Sequence, residues 1–202
     1  MPMRKLIVSE FLSLDGVMEG PGPDDPFELA GWTMKYMSQE IGRYKYAELF
    51  ASDAHLLGRV TYQGFAAAWP SRKDEMGFAD RMNSMPKYVV STSLEKAEWN
   101  NSHIIRSNVA EEISRLKQQP GLDILVAGSA RLVNTLIEYD LADEYHLLVY
   151  PVVLGKGKNL FKDGTQAALQ LVETKAFSSG VIAHIYQPDR KSSTEIHEGH
   201  KV

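Results

Sequence analysis

Two short glycine-bearing segments carry the residue types best suited to chemistry in this chain. The first is Leu57-Gly58-Arg59-Val60-Thr61-Tyr62, where the apolar run Ala54-His55-Leu56-Leu57 gives way to a helical pattern. Gly58 lets the backbone approach a ligand closely. Thr61 can cap the helix with its hydroxyl, and Arg59 brings a fixed positive charge to the same place. Anions collect at helix N-termini because unpaired N–H groups and the helix dipole both favour negative charge. The second segment is Gly128-Ser129-Ala130-Arg131, which follows the buried-strand pattern Ile124-Leu125-Val126-Ala127. Leu132, Val133, Leu136 and Ile137 then recur at helical spacing. Each segment also reads as a plain strand–helix connection, where small residues are common. Two of them together suit a ligand with two phosphate groups, such as a dinucleotide. Neither matches G-x-G-x-x-G, which disfavours an ordinary Rossmann domain.

These turns must be held by a core, and the composition allows one. The 202 residues suit a single domain, with 44% hydrophobic and 24% charged residues. A net charge of −4 gives no reason to expect nucleic acid as a partner. No apolar run approaches the length that spans a bilayer, and no signal-peptide pattern opens the chain. The expectation is no membrane partner and a cytoplasmic location. Cysteine is absent, which excludes disulfides and thiolate chemistry. The six histidines form no H-x-x-x-H or H-E-x-x-H pattern, so no metal site is expected.

Along the chain, Lys5 to Leu12 reads as a first strand, closed by Leu14-Asp15-Gly16-Val17. The Gly- and Pro-rich stretch Glu19 to Pro26 reads either as a plain connection or as a lid over a site. Tyr36 to Phe50 carries Met37, Ile41, Tyr44 and Ala47 on one helical stripe. Ala54–Leu57 is a second strand and Tyr62–Trp69 its helix, stopped by Pro70. Ser71–Met85 has room for one short helix. Pro86–Thr92 and His103–Ile105 are further strands. Asn108 and Glu111 resemble a capping box before a helix over Val109–Gln118. The last third is strand-rich: Glu144–Val153, then Leu169–Phe177 and Val181–Gln187 joined as a hairpin at Ser178-Ser179-Gly180. This order predicts an α/β fold, a mostly parallel sheet with flanking helices and an antiparallel strand at one edge. Residues 1–187 form the domain, and residues 188–202 are a polar tail expected to be disordered.

At this level the chain resembles the dihydrofolate-reductase-like superfamily. It is most similar to the reductase domain of the bacterial bifunctional deaminase–reductase of riboflavin biosynthesis, and to that domain's stand-alone relatives. The markers are Ser13-Leu14-Asp15-Gly16, Leu57-Gly58-Arg59-x-Thr61-Tyr62, Val89-Val90-Ser91-Thr92, Val126 to Leu132, Asp143-Glu144 and Pro151-Val152-Val153-Leu154-Gly155-x-Gly157. They span about residues 4–187. The resemblance implies an eight-stranded, mainly parallel sheet, NADPH as cofactor, and hydride transfer to a pyrimidine- or pteridine-like heterocycle. The family's named activity is 5-amino-6-(5-phosphoribosylamino)uracil reduction. By the same resemblance, Arg59 matches the position at the 2′-phosphate of NADPH, and Thr61 one near the pyrophosphate. Gly58 belongs to that first turn. Ser91 and Thr92 match residues beside the adenosine ribose. Gly128, Ser129 and Ala130 match the turn at the pyrophosphate. Leu14, Asp15 and Gly16 match the strand end next to the nicotinamide. The chain departs from the pattern where substrate is bound. The acid that dihydrofolate reductases place on the first helix falls near Gly42, with Glu40 the nearest acid. Ser9 stands where the riboflavin enzyme has lysine, and Ala127 where it has an acid.

Hydride transfer asks the protein for alignment and a proton. Asp15 and Glu40 are the candidates for the catalytic acid, against plain roles as a turn residue and a solvated helix residue. A protein that keeps the fold and binds a nucleotide without catalysis is the alternative class. The apolar residues of Leu169–Phe177 and Val181–Gln187, together with the family's habit of pairing, lead us to expect a homodimer that covers part of this region.

Overall fold

The computed structural model describes residues 3–191. The first strand, β1 (Leu6–Ser13), is followed by α1 (Gln39–Ala51), β2 (Ser52–Gly58), α2 (Arg59–Ala68) and α3 (Phe78–Ser84). Then come β3 (Lys87–Val90), β4 (Ser102–Ile105), α4 (Val109–Gln118), β5 (Asp123–Ala127) and α5 (Ala130–Glu138). Three strands close the chain: β6 (Glu144–Tyr150), β7 (Leu169–Ala176) and β8 (Ile182–Pro188). Among the described residues they form one eight-stranded sheet in the order β4-β3-β2-β5-β1-β6-β8-β7. The pairs from β4 to β6 are parallel, and β8 runs antiparallel to both neighbours. The antiparallel strand thus lies one place in from the edge, and β7 is the edge itself. This is the α/β architecture that the alternation of patterns predicted.

Parallel strands are buried on both faces, and β1 shows how. Leu6, Val8 and Leu12 pack with Leu132, Val133 and Leu136 of α5 and with Ile113 and Leu116 of α4. Ile7 faces the other layer, with Leu49 of α1, Tyr62 of α2 and Met82 of α3. A third cluster, with Trp32, Ile41, Leu148, Tyr150 and Phe177, covers the β6–β8 end. Because side chains alternate along a strand, Ser9 and Glu10 are sent to opposite layers. Ser9 faces α1, and Glu10 faces the α5 side.

Several boundaries differ from the sequence expectation for local reasons. Helix α1 starts at Gln39 because Ser38 caps it, its side chain accepting from Ile41 N–H at 3.3 Å. Met34–Tyr36 form a separate 3-10 turn, so Met37 precedes the helix. The expected apolar stripe is only partly the buried one. Ile41 and Leu49 are buried, Ala47 is exposed, and Glu48 is buried in its place. Helix α2 begins at Arg59 with Gly58 as its cap residue, so Thr61 lies inside the first turn and does not cap. The capping box at Asn108 does not form: Asn108 has φ +51° and makes no side-chain cap bond. Strand β6 stops at Tyr150, ahead of Pro151, whose ring nitrogen has no proton to donate. Most of the polar tail, residues 192–202, lies outside the described residues.

The Glu19–Pro26 stretch is tied down. Trp32 Nε1 donates to the Glu19 carbonyl at 2.8 Å, and Thr33 Oγ1 to the Pro21 carbonyl at 2.6 Å. The Lys158 backbone N–H donates to the Glu19 carboxylate at 3.0 Å.

Candidate active site

The C-terminal ends of β1, β2, β3 and β5 share one edge of the sheet, because these strands are parallel. From β2 the chain leaves toward β3 on one side. From β5 it leaves toward β6 on the other, passing over β1. Adjacent strands whose connections diverge open a crevice at their C-terminal ends, where α/β sheets bind ligands. Strands β2 and β5 are such a pair.

Both glycine turns sit at this crevice and interlock. Gly58 N–H donates to Ser129 Oγ at 3.0 Å, and the Thr61 and Ser129 hydroxyls are 3.0 Å apart. A methyl group on Gly58 would lie 2.2 Å from Ser129 Oγ, and one on Gly128 2.6 Å from Thr61 Oγ1. Each glycine is therefore required first by a side chain of the opposite turn, Gly58 by Ser129 and Gly128 by Thr61. Gly128 and Ser129 both have positive φ, +65° and +67°. That conformation turns the chain sharply from β5 into α5 and commits the Ser129 hydroxyl to the neighbouring turn. As a result α5 has no side-chain cap, and α2 has none because its cap residue is Gly58. Two helix N-termini without side-chain caps thus lie side by side.

The other cofactor candidates are arrayed along the same edge. Arg59 is exposed as the first residue of α2, its Nη1 donating to Gln63 Oε1 at 3.0 Å. Val90, the last residue of β3, is in register with Gly58, so Ser91 and Thr92 follow directly. Ser91 Oγ accepts from the Ser93 and Leu94 amides, while Thr92 is exposed. Ala130 opens α5. Leu14 is exposed just past β1, and Gly16, at φ +82°, completes the turn there. A concavity of about 710 Å³ lies elsewhere, along α2 and the β3–β4 connection, lined by Tyr62, Gln63, Ala66, Leu94 and Trp99.

The two candidate acids are engaged in holding loops. Asp15 accepts from Ser13 Oγ at 2.6 Å, Gly155 N–H at 2.7 Å and Leu154 N–H at 3.1 Å. The Ser13 hydroxyl and these amides hold its carboxyl down at about 2. It clamps the end of β1 to the loop after β6. Glu40 is exposed on the first turn of α1 and accepts from the Ser178 hydroxyl and amide, which lower its pKa. It joins α1 to the β7–β8 hairpin, apart from the two glycine turns.

Two buried acids were not singled out from the sequence. On the α1 side, Glu48 accepts from Ser9 Oγ, from the Lys45 ammonium, and from His146 Nδ1 at 2.6 Å. Lys45 Nζ also donates to Ser9 Oγ at 2.6 Å. Burial alone would raise Glu48, but Lys45 and His146 overrule it and hold it at about 2. Burial likewise pushes His146 down, and the Glu48 and Glu144 carboxylates lift it above its ordinary value. On the α5 side, Glu10 is 4% exposed. Its Oε2 accepts from Gly128 N–H at 3.0 Å. Desolvation is the dominant influence and raises its carboxyl to about 8. The available signal was a charged residue inside an apolar strand pattern. Among the described residues there is no cluster of metal-ligating side chains and no helix long and apolar enough to cross a membrane.

Fold and site together define a dihydrofolate-reductase-like α/β protein. The model of the RibD C-terminal domain family matches residues 4–183, so the chain belongs to that family. It is 34% identical over 187 residues to the uncharacterized protein YyaP of Bacillus subtilis (strain 168), covering 91% of this chain and 94% of the relative. A putative riboflavin biosynthesis protein from Shewanella sp. PV-4 has the same fold at TM-score 0.65 and 16% identity, covering 92% of this chain and 99% of that one. So does a dihydrofolate reductase from Enterococcus faecalis complexed with NADP(H) and RAB-propyl, at TM-score 0.59 and 14% identity, covering 92% and 96%.

Proposed function

We propose that this protein is an NADPH-dependent reductase of a small flat heterocycle, pyrimidine- or pteridine-like, its family's named activity being the reduction of a substituted uracil. The observation that carries this is the interlocked pair of glycine turns, with two uncapped helix N-termini and an exposed arginine at the β2–β5 crevice. The donors fit the group: the amides of Ala130 and Arg131, in the uncapped first turn of α5, suit a pyrophosphate, and Arg59 suits a 2′-phosphate. The NADP(H) held by the Enterococcus faecalis relative supports the same choice of cofactor.

NADPH, once bound, supplies a hydride, and a proton completes the two-electron reduction. The chain's own part is alignment and exclusion of water. Leu14 and Gly16 at the end of β1 offer the surface on which a nicotinamide ring rests. Ser91 and Thr92 offer hydroxyls to a ribose. Titrating the protein with NADPH and following nicotinamide fluorescence tests the proposal. Saturation below ~100 μM, inside the usual range of enzyme KM values, is expected. No saturable binding would sink it.

A second reading, a nucleotide-binding protein without catalysis, is favoured by one observation. Asp15 and Glu40, the two candidate acids, are both engaged by loop amides and hydroxyls. Screening dihydrofolate, pyrimidinone and quinone-like acceptors for NADPH oxidation separates the two. Turnover of any one of them excludes the second reading.

A further inference from the structure

Glu10 is the one buried acid beneath the crevice whose charge no ion pair balances among the described residues. Its Oε2 receives the Gly128 N–H, and its Oε1 is buried with no hydrogen-bond partner among the described residues. The charged groups that reach it are Lys45 and Glu48 of α1, across the sheet, and they act in opposite directions. From β6 its register partner is Leu147, which carries no charge. From β5 and α5 it meets the Gly128 amide at a helix N-terminus that has no side-chain cap.

An ionised carboxylate there would be desolvated and would set a negative charge under the turn that an anion must enter. A neutral carboxyl has neither disadvantage. Its carbonyl oxygen still accepts from Gly128, and the buried oxygen that lacks a partner then carries a proton in place of a charge.

We infer that Glu10 is a positioning residue: as a neutral acid it holds the Gly128–Ser129 turn ready for a phosphate-bearing ligand, and its ionisation weakens anion binding there. The inference rests on the dinucleotide reading of the site. The raised value of about 8 puts the change within reach of experiment.

The test uses the full chain and the Glu10→Gln variant, which keeps the acceptor and can never ionise. Carboxyl-carbon NMR of glutamate-labelled, ligand-free protein identifies the Glu10 resonance as the one missing from the variant. It is expected to titrate above pH 7. Titration in the ordinary glutamate range overturns the inference, whatever NADPH does.

NADPH affinity is then measured for both proteins from pH 6.5 to 9.5. The ratio of wild-type to variant affinity is expected to fall at least fivefold across that range, and using the ratio cancels any titration of the ligand. A constant ratio overturns the inference. If neither protein binds NADPH, the cofactor reading fails on its own. Inorganic pyrophosphate, titrated by calorimetry at the two end values, then decides by the same ratio. Should the variant fail to fold, Glu10→Asp replaces it. Its shorter side chain withdraws the acceptor from Gly128, and a binding curve matching wild type at pH 7 would overturn the positioning role.

Discussion

At the scale of single residues the phosphate-side candidates and the acids differ in how far their side chains are already engaged. Arg59 stands at a helix N-terminus with Gln63 as its only partner among the described residues, which leaves its guanidinium available for a bidentate phosphate contact. Arg59→Ala should weaken NADPH by about 1.5–3 kcal/mol, the range for hydrogen bonds to charged groups, and NADH far less. Fluorescence titration with both cofactors checks this, and equal loss would move Arg59 to the pyrophosphate or to the fold. Arg59, Gly58 and Gly128 were legible because their residue types and neighbours mark a turn locally. Glu10 and Glu48 were not, since an acid becomes informative only when tertiary packing buries it. Nothing adjacent to Glu48 in sequence shows that Ser9 and His146 will meet it, 39 and 98 residues away.

At the scale of elements, two contacts decide how the site is assembled. The β2–α2 and β5–α5 turns fit together with no room for a methyl group at Gly58. Gly58→Ala should destabilise by about 1–3 kcal/mol, as overpacking does. In a Ser129→Gly background most of that loss should vanish, because the clashing atoms are Ser129 Oγ and Cβ. Urea denaturation of the four proteins measures the coupling, and simple additivity would show that the turns do not press on each other. Glu48, in turn, ties α1 to β1 and β6. Its folded value near 2 lies below its ordinary 4.5, so it contributes stability above pH 4.5 that is lost as pH falls toward 2. His146 is raised above 6.5, so its share is complete below 6.5 and declines as pH rises through the raised value. His146→Gln should remove the part of the wild-type decline above pH 6.5 that this imidazolium causes, read as the difference between their denaturation midpoints. Identical pH profiles would detach the histidine from the network. The strands and helices were largely legible because each repeats its own period. The caps were not: Ser38 and Gly58 take over the helix starts expected at Tyr36 and Tyr62, through bonds and backbone angles that no periodicity encodes.

At the scale of the whole molecule the sheet is finished on one side and open on the other. Strand β8 is enclosed between β6 and β7, so half of the apolar C-terminal hairpin is covered within one chain. Among the described residues strand β7 pairs only with β8, and Leu171 and Val172 on it are about half exposed, at 51% and 54%. An edge with adjacent exposed apolar residues invites pairing, although Glu173 and Lys175 on the same strand resist unspecific addition. A two-fold axis reconciles these, since it brings the same strand from each copy together in one fixed register. We therefore expect a homodimer that covers β7 and leaves the β2–β5 crevice, separated from it by β8, β6 and β1, open to solvent. Light scattering across a dilution series should give twice the 22.6 kDa chain mass. Val172→Lys should shift the protein to the single-chain mass while cofactor affinity is unchanged, because the altered edge and the crevice share no contact. A wild-type mass of 22.6 kDa at every concentration would refute the dimer and leave β7 as an edge guarded by its charges alone.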